Sequence, residues 1–378
     1  MRSMAARSSP APAGAAAHSL SPRPTPARGA TVNPANRFER LAINFDDAAV
    51  HEADPLSEPP ALRTQFFRDH ASSLITRNAS PDVGFGASLN AYRGCEHGCA
   101  YCYARPNHEY LGFSAGLDFE SRIMVKEDAP ELLRAELMRP SWRAEALAMS
   151  GVTDCYQPIE RRLQLTRRCL AVLAEFLQPV GIVTKNRLVI RDADLLAPLA
   201  AVGAARVTIS ITTLDGTLAA ALEPRATPPH QRLEAIRLLQ QAGIPTGVNI
   251  APVIPGLNDH EIPAILEAAA AANASFAGWG MLRLPHGVKD IFMDWLDRHF
   301  PEKKARILAR IRDVRGGRLN DSTFGTRMTG QGIFAEQIQA LFRAAARRVG
   351  LDRSLAPLSS AAFRRPGPTQ LELAGLTV

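Results

Sequence analysis

The residues with the most chemical character stand together in the string Cys95-Glu96-His97-Gly98-Cys99-Ala100-Tyr101-Cys102. Thiolates are the usual ligands of iron–sulfur clusters, normally four of them. Three in one short loop leave one iron of a [4Fe–4S] cluster without a protein partner. An open position is what a catalytic metal site keeps and a structural site closes. Gly94 and Gly98 allow the backbone to turn tightly around such a group. The competing reading is a structural zinc site completed by His97 or His108, although zinc sites more often show paired C-x-x-C elements. Cys155 and Cys169 bring the total to five, an odd count in a chain with no secretory pattern, so a disulfide framework is not expected.

The spacing C-x3-C-x2-C, with the aromatic Tyr101 before the last cysteine, resembles the radical S-adenosylmethionine (SAM) superfamily. The flanking strings Asn90-Ala91-Tyr92-Arg93-Gly94 and Tyr103-Ala104-Arg105-Pro106 resemble its spore photoproduct lyase-like branch, over roughly residues 60–345. The resemblance implies a lyase-like enzyme whose cluster, on Cys95, Cys99 and Cys102, binds the methionine part of SAM at its free iron. One electron, from a donor such as flavodoxin or ferredoxin, then splits SAM to a 5′-deoxyadenosyl radical that abstracts hydrogen from a substrate. The cofactors carry that chemistry, and the protein positions and shields them.

Several residues are expected to serve such a site. Asp154 and Glu160, in the loop after an apolar run, are candidates to accept from the SAM ammonium, with helix capping as the alternative. By resemblance, Lys185 would hold the SAM carboxylate and Ser210 would lie near its sugar. Thr208, Ser210 and Thr212 share one strand face, and Asn249 is an amide inside an apolar strand; both patterns point to a ligand face. Tyr101 and Tyr103 match tyrosines of the lyase and are candidates for the radical chemistry. Cys155 is a candidate hydrogen donor, with burial as a small hydrophobe the alternative. The lyase's own donor thiol precedes a Thr-Ser-Asp string in this loop, and here Gly151 holds that place. Cys169 reads as packing.

The elements that must position these groups alternate in period. Phe85–Tyr92, Ala146–Val152, Val180–Thr184, Arg206–Ile211, Thr246–Val253 and Phe276–Leu282 read as strands. Between them lie amphipathic helices. One is started by Asp128 with Glu131 as a capping box. Another carries Ala235, Leu238, Leu239 and Ala242 on one face and stops at Gly243. A third is capped by Asp259 over Ile262, Ile265, Leu266 and Ala269. The expected fold is an α/β protein, a partial (β/α)6 TIM-like barrel of parallel strands, with an open doubly wound sheet as the alternative. In either, chemistry belongs at the carboxyl ends of the strands. The expected organisation is a disordered tail at 1–35, an irregular wrapping segment at 36–86, the barrel at 87–300, a helical extension at 301–350 with a helix over 333–348, and a second disordered tail at 351–378.

Composition excludes little. Hydrophobic residues make up 46% of the chain and charged residues 21%, which is ordinary for a globular protein. No apolar run reaches membrane-spanning length, so no membrane association and a cytoplasmic location are expected. The net charge of +7 weakly favours polyanions. The stretch Arg315-Gly316-Gly317-Arg318, Asn320 and Arg327 to Gly332 suits phosphate contact, which makes nucleic acid a candidate partner; a tight connection closing the open side of the barrel is the alternative. The competing functions are an iron–sulfur nucleic-acid-binding or electron-transfer protein without SAM turnover, and a zinc-stabilised binding module.

Overall fold

The computed structural model describes residues 28–38, 63–353 and 355–367. Seven strands form one sheet in the order β10-β9-β8-β7-β6-β3-β2: β2 (Ile75–Arg77), β3 (Ala87–Leu89), β6 (Leu147–Met149), β7 (Val180–Thr184), β8 (Ala205–Ser210), β9 (Thr246–Val253) and β10 (Ala277–Met281). Strands β3 and β6–β10 run parallel, and β2 pairs antiparallel with β3 at the edge. The expected six-unit partial barrel is therefore present: β7 and β9 match their apolar runs, β8 is shifted by one residue, and β3, β6 and β10 are shorter. A second sheet sets β5 (Arg122–Val125) between β1 (Gln65–Arg68) and β4 (Tyr92–Arg93).

The helices follow from the apolar periodicity. They are α1 (Leu117–Ser121), α2 (Ala129–Met138), α3 (Glu160–Leu163), α4 (Leu165–Phe176), α5 (Ala193–Ala201), α6 (Gly216–Leu222), α7 (Pro229–Gln241), α8 (Ile262–Ala271), α9 (Val288–His299), α10 (Pro301–Asp313) and α11 (Ile333–Arg348). Gly243 stands beyond α7 at φ +75°, the stop expected there. Two expected caps are absent. The Asp128 carboxylate pairs with Arg68 at 3.0 Å and Glu131 pairs with Arg168 at 2.8 Å, so no capping box closes on α2. Asp259 opens a short 3-10 turn, and α8 starts after Glu261. In α2, both carboxylates reach arginines on neighbouring elements instead of the helix's own N–H groups.

The sheet has two unlike faces. Val180, Ile182, Val207, Ile209, Val248 and Ile250 point to one side, are at most 1% exposed, and share a core with Leu173, Leu199, Ile236 and Ile265 of the helices. Burial of each such side chain contributes about 1.5–3 kcal/mol. Gly181, Val183, Thr208, Asn249 and Gly278 alternate onto the other, concave face. Val183 is 39% exposed in the middle of the sheet, so this face is an open channel.

Three described segments near the ends of the chain are more ordered than their composition suggests. Residues 28–35, expected within a disordered tail, pack on the cysteine loop. There the Gly29 and Ala30 N–H groups donate to the buried Glu120 carboxylate at 3.1 and 2.8 Å. The wrapping segment 36–86, expected to be irregular, contributes β1 and β2. Residues 355–367, expected to be a tail, cross the amino-terminal edge of the strands: Ser359 N–H donates to Gly203 O, Arg364 N–H to Phe176 O, and Arg365 to Trp142 O, each at 2.9 Å. Residues 1–27, 39–62 and 368–378 of those expected segments lie outside the described residues.

Glu120 thus ties an amino-terminal strap to the loop that carries the thiols, and it also pairs with the fully buried Arg105. Removing one partner of a buried pair strands the other charge, at a cost of roughly 3–5 kcal/mol. Glu120→Ala is therefore expected to lower the free energy of unfolding by about that amount; a urea titration with an unchanged midpoint would contradict this.

Candidate active site

The three thiols sit where the expected strand breaks in two, β3 and then β4, and the chain turns at Gly94 (φ +81°) into the loop. Neighbouring elements grip its backbone. Cys95 N–H donates to Phe119 O at 2.9 Å, Ala100 N–H to Leu222 O at the end of α6 at 3.0 Å, and the Arg105 guanidinium to Cys99 O at 3.0 and 2.8 Å. Gly98 takes φ +68°, and a Cβ there would stand 2.8 Å from the Glu120 carboxylate. Cys95 and Cys99 are buried and Cys102 is half-buried. Burial pushes the Cys99 and Cys102 thiols up; Lys185 acts on both in the opposite direction, and Arg105 on Cys102. Among the described residues no three His, Cys, Asp or Glu side chains converge on a single ion. A cubane makes no such demand, since each thiolate binds its own iron.

The two histidines of the zinc alternative have other partners. His108 Nε2 bonds Arg122 O at 2.9 Å, and its ring lies between Phe113 and Phe119; burial lowers its pKa to about 4. His97 lies with Nδ1 3.3 Å from Asp154 and Nε2 3.3 Å from the Asn186 amide nitrogen. Burial disfavours its charge, while Asp154 and Cys95 raise its pKa to about 10. The Asn186 oxygen already accepts from Leu188 N–H and the Thr227 hydroxyl, so its amide N–H faces Nε2. The Nδ1 side of the ring is directed at Asp154, the largest of the influences that raise its pKa.

The remaining expected residues divide into two groups. Lys185, Ser210, Asn249, Tyr101 and Tyr103 gather at the carboxyl ends of the strands. The Lys185 ammonium lies 5.8 Å from the Tyr101 ring centroid, and its pKa is raised because Glu223 and Cys99 outweigh burial. Ser210 and Asn249 are register partners on β8 and β9, on the concave face. Tyr103 is half-exposed and donates to Gly151 O at 3.0 Å. Asp154, Glu160 and Cys155 are engaged elsewhere. The Asp154 carboxylate accepts from the Thr184 hydroxyl at 2.7 Å and Lys185 N–H at 2.9 Å, as well as meeting His97. Glu160 is fully buried against Tyr92 at 2.5 Å and Arg191 at 2.9 Å. Cys155 and Cys169 both lie in the main apolar core, where burial pushes both thiols up.

A network that the sequence reading missed holds Tyr101. Its hydroxyl bonds Glu223, which also accepts from the Thr212 hydroxyl at 2.6 Å and from the buried Arg232. Arg232 donates further to Ser210 O at 3.0 Å. The signal was available: Arg232 falls on the buried stripe of α7 with Ala235, Ile236 and Leu239, and a charge on such a stripe needs a partner. The Gly/Arg-rich stretch is a clasp. Arg315 donates to Leu282 O and Thr326 O, and Arg327 pairs with Asp82 at 2.6 Å, joining the β2–β3 turn to the segment beyond β10.

An open, six-unit parallel barrel with three thiols on the loop after its first parallel strand defines a class of protein. Residues 89–269 match the Radical SAM superfamily. This chain belongs to the radical SAM superfamily. An uncharacterized protein of Mycobacterium tuberculosis is 38% identical over 232 residues, 61% of this chain and 67% of that protein. One from Methanocaldococcus jannaschii is 32% identical over 173 residues, 46% of this chain and 62% of that protein. The fold is shared with a spore photoproduct lyase mutant at a TM-score of 0.56 and 15% identity, covering 75% of this chain and 79% of that chain. A second mutant of that lyase, with bound AdoMet and dinucleoside spore photoproduct, gives 0.55 and 15%, covering 75% and 78%. Membership implies a [4Fe–4S] cluster and SAM, and three curled-in thiols beside Lys185 fit that donor set.

Burial resists the charge of Glu223, but Arg232, Lys185, Thr212 and Tyr101 hold its pKa down to about 2 from the ordinary 4.5. A depressed carboxyl stabilises the fold fully above its ordinary value and loses that contribution as pH falls toward its folded value. Glu223→Gln should therefore be less stable than wild type by roughly 3–5 kcal/mol near neutrality. The gap should narrow below pH 4.5. Denaturant melts from neutral to acid pH measure this, and a constant gap would contradict the assignment.

Proposed function

We propose that this chain cleaves SAM reductively and uses the resulting radical on a substrate held in the concave channel. Cys95, Cys99 and Cys102 hold the cluster, and Lys185 meets the SAM carboxylate. When bound, the cluster supplies one electron that splits SAM into methionine and a 5′-deoxyadenosyl radical. The chain's own residues bind, orient and exclude water. Ser210 and Asn249 present hydroxyl and amide groups side by side on the concave face, where the sugar and base of SAM find polar partners among glycines. Tyr101 is fixed by Glu223 and Thr212 and packs beneath Lys185. The carboxylates of Asp154 and Glu160 act as positioning groups: Asp154 fixes Lys185 through its backbone N–H and steadies His97 between two cysteines.

The observation that carries this reading is the placement of three thiols, and no fourth, on one loop at the carboxyl-end mouth of an open barrel, with a protonated lysine beside them. Cys155 lies in the apolar core, 3% exposed, so hydrogen donation falls to another group; Tyr103, half-exposed beside Cys102, is the candidate.

Anaerobic reconstitution with iron and sulfide, then dithionite and SAM, is expected to yield 5′-deoxyadenosine, quantified by chromatography. A variant with alanine at all three cysteines should hold no labile sulfide and make none. An intact cluster that leaves SAM uncleaved would turn the assignment toward electron transfer. Lys185→Met should weaken SAM binding by about tenfold in equilibrium dialysis, the loss of one charge-assisted contact, while iron content stays at the wild-type value.

A further inference from the structure

At the mouth of the barrel stands an arginine with no carboxylate partner among the described residues. Arg283 lies two residues beyond β10 and is half-buried, and among the described residues no carboxylate pairs with it. Its Nε is sealed from water with no acceptor. Its Nη1 touches the Met328 sulfur at 3.8 Å, and its guanidinium lies 5.3 Å from the Tyr103 ring centroid. The charges that face it are Arg327, Arg315 and Asp82. Asp82 is already taken by Arg327 and by Gly325 N–H at 2.8 Å. Asp321, the acid nearest Arg315, accepts from Thr323 and Thr326.

A partly desolvated guanidinium without an anion is costly. It persists where a ligand supplies the charge, and the planar fork of arginine matches a phosphate in bidentate fashion. Two flat faces flank the spot. Tyr103 is 50% exposed under Arg283, and Phe324 is 57% exposed under Arg327, whose guanidinium lies 4.5 Å from the ring centroid. Cations over exposed rings are the elements that hold a nucleotide: phosphate on the charge, base on the ring.

We propose that Arg283 is the receptor for a nucleotide phosphate of the substrate, holding it against Tyr103 beside the cysteine loop. The inference rests on the radical SAM reading for its catalytic purpose. The phosphate can belong to a free nucleotide or to a strand of nucleic acid, and the two sources are separable.

The test uses the full-length, anaerobically reconstituted protein with SAM bound, at fixed salt. Three probes are titrated: thymidine 5′-monophosphate, pentathymidylate, and pentathymidylate with neutral methylphosphonate links. The expected result is binding of a charged probe at least about tenfold tighter than the neutral one. Arg283→Gln should abolish that difference and Arg283→Lys should keep part of it, since lysine retains the charge but loses the fork. Tighter binding of the charged pentamer than of the monophosphate supports a strand as the source; comparable binding supports a free nucleotide. Arg283→Gln should retain the cluster absorbance and SAM affinity, and Lys185→Met should show the opposite pattern, losing SAM while keeping the charged pentamer. The proposal is overturned if no phosphate probe binds wild type, if the neutral pentamer binds as well as the charged one, or if Arg283→Gln leaves phosphate affinity unchanged. It is also overturned if Arg283→Gln loses SAM, which would assign the residue to the cofactor. Absence of 5′-deoxyadenosine from wild type would sink the radical reading in its own assay and leave the phosphate titration to be judged separately.

Discussion

The shape of the thiol loop depends on one buried guanidinium. Arg105 is fully enclosed, and it spans from Cys99 O to Ala115 O and Gly116 O and on to the Glu120 carboxylate. The loop supplies few N–H donors to its own carbonyls, Cys102 N–H to Cys99 O at 3.2 Å among them, and buried carbonyls need donors. Arg105 supplies several from one side chain, and Glu120 balances its charge while drawing the strap at Gly29 and Ala30 over the loop. The site is thus assembled from outside, with its interior left clear.

The same division of labour runs through the sheet. The convex face is apolar and carries the stability. The concave face is made of glycine, small and polar residues, and contributes little to packing. A barrel closed by eight units fills its interior with branched side chains; this one leaves the interior open and closes its gap with a clasp, Asp82 to Arg327, between the two edge regions. The carboxy-terminal strap at 355–367 lies across the opposite, amino-terminal rim, where Gly181 leaves room for Leu358. One end is braced by structure, and the other is left for ligands.

Buried ion pairs surround the site: Glu223 with Arg232, Glu160 with Arg191, Glu96 with Arg225. Such pairs add little net stability over apolar replacements. Their value lies in direction. Each fixes a residue that borders the thiol loop: Tyr101 through Glu223, Tyr92 through Glu160, and the Ile159 N–H through Glu96. Arg283 has no such carboxylate partner among the described residues.

The sequence by itself determined the periodic features. Alternating strand and helix patterns place six parallel strands, the apolar stripe of α8 is buried as its spacing requires, and the cysteine spacing marks the loop proposed to hold the cluster, because all of these are encoded within one element. Partnerships between distant segments were not legible. Glu160 and Asp154 look like free carboxylates on a loop, yet Tyr92, Arg191, His97 and Thr184 claim them. Cys155 stands beside the site in sequence and faces the core in space. The two chain ends read as tails by composition, but strands and loops far away supply the donors and acceptors that order parts of them. Local pattern sets which face a residue takes; only the meeting of faces decides which charges find partners within the fold.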